Sequence, residues 1–271
     1  MSKTVVITGA SKGFGYHLSK EFAKHDYNIV MNSRNSKNLA LSRYKIIKDT
    51  GIHHSKIISI PKNVEYVDTS SFIVKRTLKH FKTIDIWINN AGTLNYKFDS
   101  FVNFDNFEIN HILNTNLTGT ILGTHAAIIA MNKQNESGVI YNVTGCGSNG
   151  EIVPGYSVYS TSKNPIKYFS KTINKELKDT NCCVKTISPG LLMTDLYKSN
   201  KYIQNTFVNY FCNEPSIVAE YVFNEIHNKN PNDINYLSLN NKYNIILLLS
   251  ELFTAACIKL SSNVNNLPSS S

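Results

Sequence analysis

The feature that most narrows what this chain can become is a repeated change of hydrophobic period. Short apolar runs at residues 4–8, 28–32, 56–60, 84–89, 138–143 and 183–188 alternate with longer segments whose apolar residues recur three and four apart. The runs read as buried strands and the segments as amphipathic helices. The helical segments are 14–24, with Phe14, Leu18 and Phe22 on one face, then 36–49, 68–81 behind an N-capping Asp68, 107–131 and 156–178. Strands joined by helical crossovers build a parallel sheet, because such crossovers are right-handed and return the chain in the same direction. The expected fold class is therefore α/β, a single Rossmann-type doubly wound parallel sheet with helices on both faces. Residues 1–240 are expected to form this one domain, with a seventh, edge strand at 234–239. Residues 241–260 would add an apolar C-terminal helix and 261–271 a disordered tail.

Composition removes several other classes. With 271 residues, 42% of them hydrophobic, the chain is too apolar to stay disordered and can bury a core without disulfides or metal. No apolar run reaches the roughly 20 residues of a membrane span, and the N-terminus enters the first strand without signal-peptide character. The five cysteines are odd in number, and neither they nor the eight histidines show metal-ligand spacing. A metal-free protein of a reducing compartment is expected, with a cytoplasmic location. The net charge of +9 would suit a nucleic-acid binder, yet no Lys/Arg block or aromatic-basic stripe supports one. A phosphate-bearing small molecule accounts for part of that charge more economically.

Thr8-Gly9-Ala10-Ser11-Lys12-Gly13-Phe14-Gly15 lies between the first strand and the first helix. In that context Gly9 permits a tight turn, Gly13 lets backbone approach a pyrophosphate, and Gly15 lets helix pack on strand. The helix N-terminus adds unpaired N–H groups and a partial positive charge. Further motifs follow in order: Asn89-Asn90-Ala91-Gly92, Asn116 within Asn-Leu-Thr-Gly-Thr, Tyr159-Ser-Thr-Ser-Lys163, and Pro189-Gly190-Leu-Leu-Met-Thr194. Over about residues 3–225 the chain resembles the short-chain dehydrogenase/reductase family.

That resemblance implies a dinucleotide held by Gly9, Ser11, Lys12, Gly13, Phe14, Gly15, Asn90, Ala91 and Gly92. It places Asn63 and Val64 beside the adenine, and Pro189, Gly190 and Thr194 at the nicotinamide amide. Tyr159 would be the acid that protonates a carbonyl oxygen, and Lys163 would tune Tyr159 and hold the nicotinamide ribose. Asn116 would position a water linking the lysine to solvent. A homodimer or homotetramer built through the long helices is implied as well.

Two points come from the residues themselves. NAD binders usually place Asp or Glu at the end of the second strand to hold the ribose 2′-OH, but this chain has Asn32-Ser33-Arg34 there. A 2′-phosphate between Arg34 and Lys12 would gain charge-assisted hydrogen bonds, so NADP(H) is expected in preference to NAD(H); otherwise both are solvated surface cations. Tyr159 and Lys163 are four apart and share one helical face. Each unit by which a nearby ammonium lowers a tyrosine pKa corresponds to about 1.4 kcal/mol of anion stabilisation.

One departure stands out. The family's substrate-binding serine falls here on Gly145, within Asn142-Val143-Thr144-Gly145-Cys146-Gly147-Ser148. Thr144, Ser148 or a backbone N–H would have to substitute, since a lost donor of this kind costs about 2–4 kcal/mol in the transition state. The chlorophyll(ide) b reductase branch carries a similar stretch. Its likeness extends to Ser188–Leu196 and Asn213–Tyr221. The implied activity is NADPH-dependent reduction of a carbonyl on a bulky apolar small molecule. Tyr202, Phe207, Tyr210 and Phe211 in 197–211 agree with such a substrate. The rival is a catalytically silent NADPH-binding sensor or assembly module, which explains Gly145 but not the retention of Tyr159, Lys163 and Asn116. Residues 243–260 read as a helix capping the cleft or an interface, or as a membrane-surface helix.

Overall fold

Strands that are apolar on both faces need a covering layer on each side, and the helices between them supply two. A computed structural model describes residues 2–94, 99–194, 212–228 and 233–236. Its first half runs β1 (Thr4–Thr8), α1 (Gly13–Lys24), β2 (Asn28–Ser33), α2 (Ser36–Thr50), β3 (Ile57–Pro61), α3 (Thr69–Phe81) and β4 (Ile86–Asn89). Then come α4 (Asn106–Leu113), a π-turn (Asn114–Thr118), α5 (Gly119–Met131), β5 (Gly138–Val143), α6 (Ser157–Glu176), β6 (Cys182–Ser188), α7 (Pro215–Asn228) and β7 (Asp233–Asn235). The sheet has seven strands in the order β3-β2-β1-β4-β5-β6-β7, all parallel. Winding reverses between β1 and β4, which opens a crevice at the carboxyl ends of these strands.

Period-two alternation divides the core. Val5, Ile7, Ile29, Met31, Ile86 and Ile88 pack with Leu18 and Phe22 of α1, Leu39 of α2 and Val222 of α7. Their neighbours Val6, Val30 and Trp87, with Ile140 and Val184, turn to the other face and meet Ile73 of α3 and Ala127 of α5. Each fully buried side chain of this size is worth about 1.5–3 kcal/mol of transfer free energy. The sheet's two sides are thus set before any functional residue is considered.

Three local expectations change. The fourth strand begins at Ile86 rather than residue 84, because the Gln134 amide satisfies both backbone groups of Ile84 (3.0 and 2.9 Å). Asp68 precedes α3 but makes no cap; its carboxylate pairs with Lys62 at 2.7 Å. The long helix over 107–131 is broken into α4 and α5 by the π-turn. Residues 197–211, the helix expected over 241–260 and the tail 261–271 lie outside the described residues, as does the end of the strand expected at 234–239.

A buried polar knot fixes the carboxyl ends of β4 and β5. Asn89 Nδ2 donates to Asn142 Oδ1 (2.9 Å) and Thr124 Oγ1 (3.1 Å), while Trp87 Nε1 donates to Asn89 Oδ1 (2.7 Å). Asn142 Nδ2 in turn donates to Ser170 Oγ of α6 at 3.0 Å. Buried amides left unpaired would each cost a few kcal/mol, so a satisfied set of this kind ties β4, β5, α5 and α6 into one registration.

Candidate active site

The turn after β1 is shaped to leave backbone donors open. Gly9 and Gly13 have φ of +66° and +55°, a left-handed region that side-chain-bearing residues avoid. A Cβ on Gly9 would lie 2.8 Å from Ala91 Cα, and one on Gly15 only 2.4 Å from Asn90 Nδ2 and 2.5 Å from Gly9 O. Asn90 holds the turn from β4, donating through Nδ2 to Thr8 O at 2.9 Å, while the Asn90 and Ala91 N–H groups bond Thr8 Oγ1. Lys12 occupies the N-cap of α1 without a side-chain cap, and the first turn holds no acidic residue. The first N–H groups of α1 are therefore left for an anion, which suits the phosphates of a dinucleotide. Phe14 contributes backbone here, since its ring is buried in the core.

Farther along the crevice, Ser11 Oγ and Ser33 Oγ share a 2.8 Å hydrogen bond. Arg34 is exposed at the end of β2 and lines a pocket of about 590 Å³ with Asn35, Pro61, Lys62, Asn63 and Tyr66. Val64 is buried, lying where a Cβ on Gly119 would come within 3.0 Å of its Cγ2. Lys62, a second cation in the pocket, was not singled out by sequence. Arg34 Nη1 bonds His111 Nε2 (2.9 Å), His111 Nδ1 bonds Glu65 Oε1 (2.8 Å), and Thr115 Oγ1 donates to that same oxygen (2.8 Å). Sequence reasoning missed His111, Glu65 and Thr115; no motif marks them.

At the reacting end, α6 aims Tyr159 and Lys163 into the crevice beside β5. A Cβ added to Gly145 would fall 2.4 Å from the Tyr159 hydroxyl and 3.4 Å from Lys163 Cγ. The tyrosine hydroxyl thus rests in the space a serine at 145 would fill. Lys163 is 4% exposed, and its Nζ donates to Val143 O at 3.1 Å. Burial pushes the Lys163 ammonium down to about 8. Gly92 lies alongside, where a Cβ would sit 3.8 Å from Lys163 Nζ and 3.5 Å from Asn116 Oδ1.

Asn116 is fully buried in the π-turn. Its side chain accepts from Thr93 N (2.7 Å) and donates to Thr93 O and Ser162 Oγ (both 2.9 Å). It fastens the segment after β4 to α6, so its amide is occupied by protein rather than held out to a water. The candidates for replacing the missing serine are occupied too. Ser148 Oγ accepts from Gly145 N (3.0 Å) and donates to Lys163 O (3.1 Å), and Thr144 Oγ1 donates to Ile187 O (3.1 Å). Each hydroxyl has one proton, and both protons point into the protein. Glu151 closes this loop by accepting from Gly147 N and Asn149 N. Burial pushes the Cys146 thiol up to about 11, which keeps it protonated and unreactive.

The segment after β6 returns over the glycine turn. Leu192 bridges to Asn213, and a Cβ on Gly13 would lie 3.2 Å from Thr194 Cγ2. Gly190 lies against the end of β7, where a Cβ would be 3.3 Å from Tyr236 O. Gly9, Gly13, Asn90, Gly92, Asn116, Tyr159, Lys163 and Thr194 are thereby gathered along one crevice at the carboxyl ends of the strands, while Arg34 and Asn63 mark its far end. Among the described residues, no helix is long and apolar enough to cross a membrane.

A doubly wound parallel sheet with an uncapped glycine turn and a Tyr–Lys pair beside β5 defines a dinucleotide-binding protein of the Rossmann class. The profile of the family described as short chain dehydrogenase matches residues 3–204. A probable chlorophyll(ide) b reductase of Arabidopsis thaliana is 32% identical over 231 residues, which cover 80% of this chain and 46% of that protein. A chlorophyll(ide) b reductase of Oryza sativa is 31% identical over 223 residues, covering 80% and 64%. The chain therefore spans about half to two-thirds of the length of these relatives. Actinorhodin polyketide ketoreductase, solved with NADPH, superposes with a TM-score of 0.75 at 21% identity, covering 89% of this chain and 98% of that one. That likeness is one of fold. The chain belongs to the short-chain dehydrogenase/reductase family, a family of NAD(P)-dependent oxidoreductases. The expected cytoplasmic location is overturned, because the matched chlorophyll(ide) b reductases are chloroplastic proteins.

Proposed function

We propose that this chain reduces a carbonyl group on a bulky apolar molecule, taking NADP(H) in preference to NAD(H). The observation that carries the reading is the approach of the Tyr159 hydroxyl to Gly145 above a buried Lys163. When bound, the nicotinamide cofactor supplies the hydride. The residues present do the rest. The α1 N-terminus and glycine turn bind the pyrophosphate, Arg34 and Lys62 favour a 2′-phosphate, and Pro189, Gly190 and Thr194, the last packed against Gly13, serve the nicotinamide amide. Tyr159 delivers the proton to the carbonyl oxygen. Lys163, charged below about pH 8, stabilises the tyrosinate left behind.

A formyl group on a large porphyrin-derived ring is the favoured substrate. Support comes from the likeness to the chlorophyll(ide) b reductases matched above and from the resemblance of Asn142–Ser148, with Gly145 at the family's serine position, to that branch. Self-association as a homodimer or homotetramer is supported by Phe107 and Ile129, which are 73% and 44% exposed on α4 and α5. Sedimentation at two protein concentrations tests it, and a monomer at both would reject it.

The functional test is NADPH oxidation with aldehydes, ketones, quinones and formyl-bearing tetrapyrroles. Wild type turns over the formyl tetrapyrroles, and Tyr159→Phe loses about 10²–10⁴-fold in rate while still binding NADPH. Tight NADPH binding with no turnover across the set would instead leave a silent binder.

A further inference from the structure

An exposed arginine ordinarily samples many rotamers and loses that freedom when it grips a ligand. Arg34 is not in that situation. Its Nη1 is held at 2.9 Å by His111 Nε2 of α4. A guanidinium can only donate, so Nε2 carries the lone pair and the ring proton sits on Nδ1. That proton is directed to Glu65 Oε1 at 2.8 Å, and Thr115 Oγ1 donates to the same oxygen at 2.8 Å. The ring is 8% exposed, and Phe107 lies parallel to it with centroids 5.9 Å apart. Both nitrogens and one face of the imidazole are therefore fixed.

The order of the groups matters as much as their distances. A carboxylate touching Arg34 would compete with any phosphate for the guanidinium fork. Here the neutral ring stands between Glu65 and Arg34, so the carboxylate orients the imidazole while the arginine keeps its charge. With one guanidinium nitrogen engaged from behind, the remaining donors are left beside Lys62 and Asn63 in the pocket at the end of β2. A planar fork with unused N–H groups matches two oxygens of a phosphate.

We propose that His111, Glu65 and Thr115 form a positioning relay that holds Arg34 for the cofactor's 2′-phosphate and so sets the preference for NADP(H) over NAD(H). The relay rests on the NADP(H) reading above. It adds three specificity residues from α4, the π-turn and the β3 loop, none of which lies in a family motif quoted for this chain. His111→Ala would remove the spacer and leave Glu65 free to close on Arg34.

The test is binding of NADPH and NADH to the full chain, for wild type, Arg34→Ala, His111→Ala, His111→Gln and Glu65→Gln, with the melting temperature of each variant measured without cofactor. The relay requires His111→Ala to lose about tenfold in NADPH affinity with NADH affinity unchanged. His111→Gln, whose amide oxygen still accepts from Arg34, should recover most of the loss. If Arg34→Ala collapses the preference while His111→Ala and Glu65→Gln keep it, the relay is wrong and the NADP(H) reading stands. Equal losses for both cofactors in His111→Ala would reduce His111 to a structural role and also overturn the relay. A wild type without preference defeats the NADP(H) reading itself, whereas a preference that survives Arg34→Ala leaves that reading standing and overturns the relay. Should His111→Ala fail to fold, the His111→Gln and Glu65→Gln ratios carry the decision.

Discussion

At Gly145 a missing side chain separates two accounts of the site. A serine there would restore the family's hydroxyl donor, but its Cβ would lie 2.4 Å from the Tyr159 hydroxyl, closer than real Cβ contacts allow. Gly145→Ser is therefore expected to lower activity rather than raise it, by about 10²-fold if the tyrosine is pushed off by roughly an ångström. Steady-state turnover of the single variant decides this, and a faster enzyme would show that the tyrosine has room to yield. Lys163 makes a prediction of opposite signs. Above about pH 8 its ammonium is lost, so reduction should slow as pH rises through that value. Over the same rise the unfolded chain binds more protons at this lysine than the folded chain, so the site's contribution to stability increases toward lysine's ordinary range. Rate and melting temperature against pH, with Lys163→Met as control, should move in opposite directions. The Tyr–Lys pair was legible in the sequence because both residues sit on one helix. The inward turn of the Ser148 and Thr144 hydroxyls was not, because it depends on carbonyls of Lys163 and Ile187 that only the fold brings near.

Element by element, strand and helix positions followed from periodicity; two deviations occurred where a side chain took an unexpected partner, and the third where the π-turn broke the long helix. Gln134 delayed the start of β4 by taking both groups of Ile84, and Asp68 served Lys62 instead of α3. The polar knot between β4, β5, α5 and α6 was equally hidden, since its partners Asn89, Thr124, Asn142 and Ser170 come from four separate elements. Its tightest point is Gly123 on α5, where a Cβ would come 2.2 Å from Asn89 Oδ1. Gly123→Ala should force the helix off the sheet and cost about 1–3 kcal/mol, despite alanine's better helix propensity. Urea denaturation measures it, and a neutral or stabilised variant would mean that the knot relaxes freely.

For the molecule as a whole, the sheet order and the crevice at its switch point were readable because they follow from alternation and handedness alone. The cluster around Arg34 was not, because Arg34, Glu65 and His111 come from three separate elements and the first and last are 77 residues apart. The π-turn at Asn114–Thr118 is where these distant parts meet: Thr115 reaches Glu65, and its neighbour Asn116 reaches Thr93 and Ser162. Such a turn is a helix carrying one residue too many. Deleting that residue would leave α4 and α5 regular and still in phase, so the hydrophobic faces on either side would go on matching the sheet. What would vanish is the local widening that lets neighbouring side chains serve the two ends of the crevice. In the arithmetic of insertions and deletions, the two ends of the crevice are joined by a surplus residue that the architecture does not require.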